Sequence, residues 1–228
     1  MPNTIKSVLV LLFGFLLLAG PSPAQAKDFV TMPEATGAEK NIQIRFVKYD
    51  GSTNGEMVVQ VKNTGKTTAN FRAEGLFFVP QGSPEKAPQR LGASGPFTES
   101  GKRGKRVHQE KLALAPGESK TLRLEVFCID SHRSSPSSNT QFSLAKNKLP
   151  KKMQETMKSS NQAIYKKNKG SLRKSKSAVQ SNMWKVRDAD WVKLEGERAV
   201  EKAPRNGKRR HPMQNRIQQR NLPPQSAE

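Results

Sequence analysis

Cysteine is nearly absent: Cys128 is the single one in 228 residues. An internal disulfide is therefore excluded, and the fold must rest on a hydrophobic core or on pairing between chains. Acidic residues are also scarce, with 19 Asp and Glu against 40 Lys and Arg, for a net charge of +21. Such an excess favours polyanions (nucleic acid, acidic polysaccharide, anionic membrane surface) and also keeps a chain soluble. Apolar residues make up only 34% of the chain and aromatic residues 6%. Globular chains usually reach about 45–50% apolar when Gly is counted, so part of this chain is expected to stay unpacked. The three histidines, His108, His132 and His211, have no metal-ligand spacing, and one cysteine makes no cluster. Neither a metal nor a cofactor is expected.

Long apolar runs are limited to one, Val8 to Ala19, broken only by Gly14. Lys6 precedes it, Gly20-Pro21-Ser22-Pro23 ends it, and Ala24-Gln25-Ala26 follows as a small-x-small cleavage pattern. The run is short for a bilayer-spanning helix, which needs about 20 apolar residues. Residues 1–26 therefore read as a cleavable secretory signal peptide. The expected mature chain starts near Lys27 and acts in a periplasm or outside the cell. It holds no transmembrane segment, and no cysteine near the cleavage site can take a lipid.

Residues 27–40 show no period and read as an N-terminal arm. Apolar alternation begins at Ile42, Ile44 and Phe46, and resumes at Met57, Val59 and Val61 between turn signals at Asp50-Gly51-Ser52 and Asn63-Thr64-Gly65. Thr67 to Val79 carries one or two further strands. Residues 80–105 are rich in Pro, Gly, Ser and Lys and read as a long, mobile connection. Ser119 to Cys128 is the clearest strand, with Leu122, Leu124, Val126 and Cys128 on one face. A last short strand is expected at Phe142 and Leu144. The 41–145 segment is thus expected to be an immunoglobulin-like β-sandwich. From Leu149 the period turns helical, with Met153, Met157 and Ile164, then Leu172, Val179, Met183 and Val186. Residues 146–195 form the helical region of a mainly β protein. Residues 196–228 have almost nothing to bury and read as a disordered basic tail.

Three constellations carry chemical meaning. The first joins Phe127-Cys128-Ile129, the middle Met153-Gln154-Glu155-Thr156-Met157, and the late Val179-Gln180-Ser181-Asn182-Met183-Trp184. Over roughly residues 119–191 this order resembles the thioester domains of bacterial surface adhesins. Those domains carry aromatic-Cys-aliphatic, aliphatic-Gln-x-x-aliphatic and Thr-Gln-x-x-x-Trp motifs. Val179 stands where the family has Thr. The resemblance implies an internal thioester between Cys128 and Gln180, supported by Phe127, Gln154 and Trp184, that captures a nucleophile on a surface. The implied function is non-catalytic adhesion, with a degenerate domain that has lost the bond as its variant. The residues by themselves also allow an inert Cys128 that continues the apolar face of Leu122, Leu124 and Val126, and Trp184 and Trp191 as core anchors.

The second constellation, Asp130-Ser131-His132-Arg133, places an acid, a hydroxyl and an imidazole in one run. Catalytic triads converge in space and seldom in sequence, so local turn bonding is the reading preferred for it. The third is Lys208-Arg209-Arg210 in the tail, a basic cluster without interleaved aromatics. It suits salt-sensitive attraction to a polyanion and does not suit base stacking. The partner classes implied are a surface protein or polysaccharide, or an extracellular polyanion. The sequence gives no oligomeric state.

Overall fold

The fold is built around β8 (Ser119–Cys128), whose alternating Leu122, Leu124, Val126 and Cys128 are all fully buried on one face. A computed structural model describes residues 28–52, 55–99, 108–166 and 172–199. The segment 1–26, expected to be a signal peptide, and the basic cluster Lys208, Arg209, Arg210 lie outside these residues. β8 pairs antiparallel with β3 (Glu56–Asn63) on one side and β6 (Leu91–Glu99) on the other. With β1 (Val30–Thr31), β2 (Ile42–Tyr49), β5 (Phe77–Pro80) and β9 (Phe142–Leu144) the order is β1-β2-β3-β8-β6-β5-β9. A second ladder pairs β4 (Ala69–Phe71) with β7 (Leu112–Leu114). The seven-stranded sheet curls nearly into a barrel, because Phe142 on β9 packs against Phe46 and Tyr49 on β2, each at 5.7 Å between ring centroids.

Local chemistry sets the turns. The Asp50 carboxylate accepts hydrogen bonds from the Ser52 and Glu56 N–H groups at 3.0 and 2.9 Å, closing the β2–β3 hairpin. Buried Asn63 ends β3 and donates through Nδ2 to the Thr67 and Leu114 carbonyls, tying the small ladder to the large sheet.

Two regions differ from the sequence reading. Leu91–Glu99 is a strand inside the segment read as a mobile connection. Its Gly92, Ser94, Gly95 and Pro96 hide the period, and the register shifts between Ala93 and Phe97 absorb them as a bulge. The N-terminal arm is likewise structured, supplying edge strand β1 and a short 3-10 turn over Gly37–Asn41.

The helices α1 (Lys151–Lys166) and α2 (Leu172–Ala189) pack on the outer face of one end of the sheet. Met153, Met157, Val179 and Met183 bury against Phe77, Phe127 and Ile129 in a second core cluster. The chain is therefore mainly β with a small helical region. Among the described residues no helix is long and apolar enough to cross a membrane.

Beyond α2 the chain does not leave the body at residue 196. Lys146 N–H donates to the Glu195 carboxylate at 2.7 Å, and Arg198 donates to the Pro84 and Ala87 carbonyls at 3.2 and 2.9 Å. Residues 194–199 form a strap across the loop before β6, so order extends past the expected start of the tail.

Candidate functional site: the Cys128–Gln180 contact

Strand polarity explains why Cys128 needs a partner from outside the sheet. The Val126 N–H faces β3 and reaches the Gly55 carbonyl at 3.0 Å, whereas the Ile129 N–H faces β6 and reaches the Arg90 carbonyl at 2.9 Å. Peptide groups alternate sides along a strand, so the N–H and C=O of Cys128 point toward β3. There β3, which runs antiparallel and starts at Glu56 opposite Glu125, does not reach. An unsatisfied buried amide and carbonyl would each cost about 1–3 kcal/mol.

Gln180 on α2 fills that vacancy. The Cys128 N–H donates to Gln180 Oε1 at 2.8 Å, and Gln180 Nε2 donates back to the Cys128 carbonyl. The side-chain amide acts as a one-residue strand. Both residues are buried, Cys128 at 0% and Gln180 at 3% exposure. The two residues named by the sequence motif, 52 positions apart, are thus in direct contact.

The surroundings are apolar. Phe127 and Ile129 point to the helices with Val179 and Met183, while Cys128 belongs to the main core with Tyr49, Leu91 and Trp184. Burial pushes the Cys128 thiol up to about 12, and the neighbouring Asp130 carboxylate adds to the shift. Burial also raises the Tyr49 phenol, with Cys128 and Asp50 contributing. Trp184 closes the site from α2, and its Nε1 donates to Gln89 Oε1 at 3.3 Å. Gln154, the middle motif residue, is not brought to Cys128. It lies on α1, donates to the Leu149 carbonyl at 2.5 Å, and packs over Gly75, where an added Cβ would come within 2.7 Å of its Cδ.

The Asp130–Arg133 run does not assemble a triad. Asp130 is fully buried and held bidentately by Arg90, at 2.8 Å from Nε to Oδ2 and 2.5 Å from Nη2 to Oδ1. Burial alone would raise its carboxyl, but the Arg90 bonds and the charges of Arg90 and Arg133 outweigh it and hold it below the ordinary range. Arg90 is raised in turn: the Asp130 and Glu197 carboxylates outweigh the lowering effect of burial. Ser131 donates to the Asp188 carboxylate at 3.0 Å. Burial raises Asp188 despite that bond and the nearby charges of His132 and Arg187. His132 lies on the exposed side against Trp191, at 5.4 Å. The hydroxyl thus meets a carboxylate directly instead of an imidazole. Arg133 donates to the Gly196 carbonyl at 2.9 Å, which binds the strap.

Sequence reasoning missed the ionic cluster around Asp130: Arg90, Arg187 and Glu197 are all part of it. The signal was present on α2, where Gln180, Trp184 and Arg187 recur at helical spacing beside the apolar stripe and share its buried side. Among the described residues there is no group of three or more His, Cys, Asp or Glu that could hold a metal. Comparison with protein-family models and with curated proteins finds no match for this chain.

Proposed function

We propose that this is an exported, non-catalytic adhesion protein in which Cys128 and Gln180 form an internal thioester that captures nucleophiles on a surface. The observation that carries the reading is the seating of the Gln180 carboxamide on Cys128 inside an apolar enclosure. The Cys128 N–H polarises the Gln180 carbonyl, as an oxyanion donor would. Closure joins Cys128 Sγ to Gln180 Cδ and breaks the Cδ–Nε2 bond. The thiol proton leaves with nitrogen as ammonia. The thiolate is the nucleophile and burial opposes its formation, so closure requires the thiol proton to pass to the departing nitrogen as the Sγ–Cδ bond forms. Phe127, Met183 and Trp184 exclude the water that would hydrolyse the acyl group. An incoming amine or hydroxyl then takes the Gln180 acyl and returns the thiol. The partner on this reading is a surface protein or polysaccharide.

Intact mass of the purified chain tests it. A closed centre makes the protein lighter by one ammonia and leaves no thiol to titrate. Full weight with a titratable thiol after unfolding identifies the degenerate form.

A second reading rests on the net charge of +21. Here the protein binds an extracellular polyanion through its basic surface and tail, with Lys208, Arg209 and Arg210 as the contact cluster. Retention on immobilised heparin that falls steeply with salt supports this reading, and indifference to salt removes it.

A further inference from the structure

Three polar side chains of α2 reach the end of β8 and the turn after it, in the same order along both segments. Gln180 meets Cys128, Arg187 meets Asp130, and Asp188 meets Ser131. Between them Trp184 meets Gln89 just before β6. Each contact is specific in chemistry: an amide on a peptide, a guanidinium near a carboxylate, a carboxylate on a hydroxyl. Apolar neighbours such as Val179 and Met183 would tolerate sliding, but these pairs do not. A slip of one residue along α2 shifts each side chain by about 1.5 Å and about 100° around the axis. It would carry Val179 or Ser181 to Cys128 and strand the Arg187 charge in the core.

The strap closes this zipper from the far side. The Glu197 carboxylate receives Arg90 Nη1 at 3.1 Å and Arg187 Nη2 at 3.2 Å, and it also accepts the Leu194 N–H at 3.0 Å. Arg90 Nη1 donates in addition to the Glu195 carbonyl at 3.0 Å. Arg187 stacks on the Trp191 ring at 3.8 Å, which fixes its direction. Arg90 and Arg187 are fully buried, and the Glu197 side chain is 5% exposed. Glu197 therefore joins an arginine just before β6 to an arginine of α2, with Asp130 between them.

We propose that Arg187 and Glu197 are positioning residues for the Cys128–Gln180 centre, locking the register of α2 against β8 so that the Gln180 amide faces Cys128. The proposal rests on the reading of that pair as the functional centre, yet it is measurable without the thioester. Amide hydrogen exchange on the full chain reads the contact through the Cys128 N–H, which Gln180 protects. In Glu197→Ala, Cys128 amide exchange accelerates about tenfold or more, while the amides of the β3–β8 ladder keep their wild-type rates. Glu197→Gln, which keeps an acceptor but loses the charge, falls between. Arg187→Met behaves like Glu197→Ala. Phe71→Leu, a core change in the β4 ladder, serves as the control and leaves the Cys128 rate in step with the rest of the sheet. Intact mass of the same samples shows a smaller closed fraction in Glu197→Ala than in wild type. The proposal is overturned if Cys128 stays as protected as in wild type, or if its exchange rises only together with the β3–β8 ladder. A wild-type chain of full weight would overturn the thioester, and the exchange rates would still decide the register lock.

Discussion

Replacing Gln180 by alanine removes both partners of the Cys128 peptide at once. Because β3 starts only opposite Glu125, no strand can substitute, and two buried backbone groups lose their bonds to Gln180. We expect Gln180→Ala to lower unfolding free energy by about 2–4 kcal/mol, twice the lower range for one buried unsatisfied group. In the open, thiol form of the centre, Cys128→Ala keeps the peptide and removes only a small buried side chain, so its cost relative to that form is about 1 kcal/mol. Urea midpoints for the two variants test this asymmetry. Equal losses would mean that the thiol and not the peptide anchors the pair. The same geometry explains what the sequence could reveal at this scale. The Cys, Gln and Trp spacing was legible because the motif names side chains. The reason for the contact, an orphaned strand edge, depends on where β3 starts and has no local signature.

At the scale of elements, the ionic cluster around Asp130, α2 and the strap is expected to contribute to acid stability. Asp130 is held below its unfolded value, so its contribution is fully present above the unfolded carboxylate pKa, about 4. It is lost as pH falls through the lower folded value. Unfolding free energy measured from neutral pH downward should therefore drop below about pH 4 in the wild type. Asp130→Asn should be less stable at neutral pH by about 3–5 kcal/mol, since it leaves the Arg90 charge buried without its bidentate partner. It should also lose that part of the acid slope. A slope unchanged in Asp130→Asn would assign the acid transition to other carboxylates. Gly92→Ala probes the helix–sheet joint. Its Cβ would lie 2.4 Å from Met157 Cε and 2.9 Å from Leu149 Cδ1. Overpacking there should cost about 1–3 kcal/mol, read from the thermal or urea midpoint.

The same elements show where sequence periodicity works. β3 and β8 were legible because residues such as Met57, Val59, Leu122 and Leu124 alternate without interruption. β6 was not, because Gly, Ser and Pro in Leu91–Glu99 erase the alternation and the strand is held instead by β8 and a bulge. The strap was hidden for a different reason. Glu195, Glu197 and Arg198 look like solvated charges in one dimension, and only their partners Arg90, Arg187 and Ala87 show that this segment is tied to the body.

At the scale of the whole molecule, the distribution of charge separates two kinds of cation. Arg90, Arg133 and Arg187 are buried and bound to carboxylates or carbonyls, so they offer nothing to an outside polyanion. On the second reading, binding of that kind would come from surface lysines, from exposed arginines such as Arg72, and from residues 200–228. Removing 200–228 leaves the strap whole, because Arg198 and Ala199 keep their contacts with Pro84, Ala87 and Glu85. We expect this truncation to unfold like the full chain and to elute from heparin at lower salt. Unchanged elution would place the polyanion contact on the folded body.

The central claim concerns one bond, and one measurement addresses it most directly: the intact mass of the mature protein, read with a thiol titration under denaturing conditions. A closed Cys128–Gln180 centre predicts a chain lighter than its sequence by one ammonia, with no reactive thiol, and restoration of the full sequence mass in Cys128→Ala once that substitution is accounted for. A chain of full sequence mass carrying one titratable thiol would contradict the account.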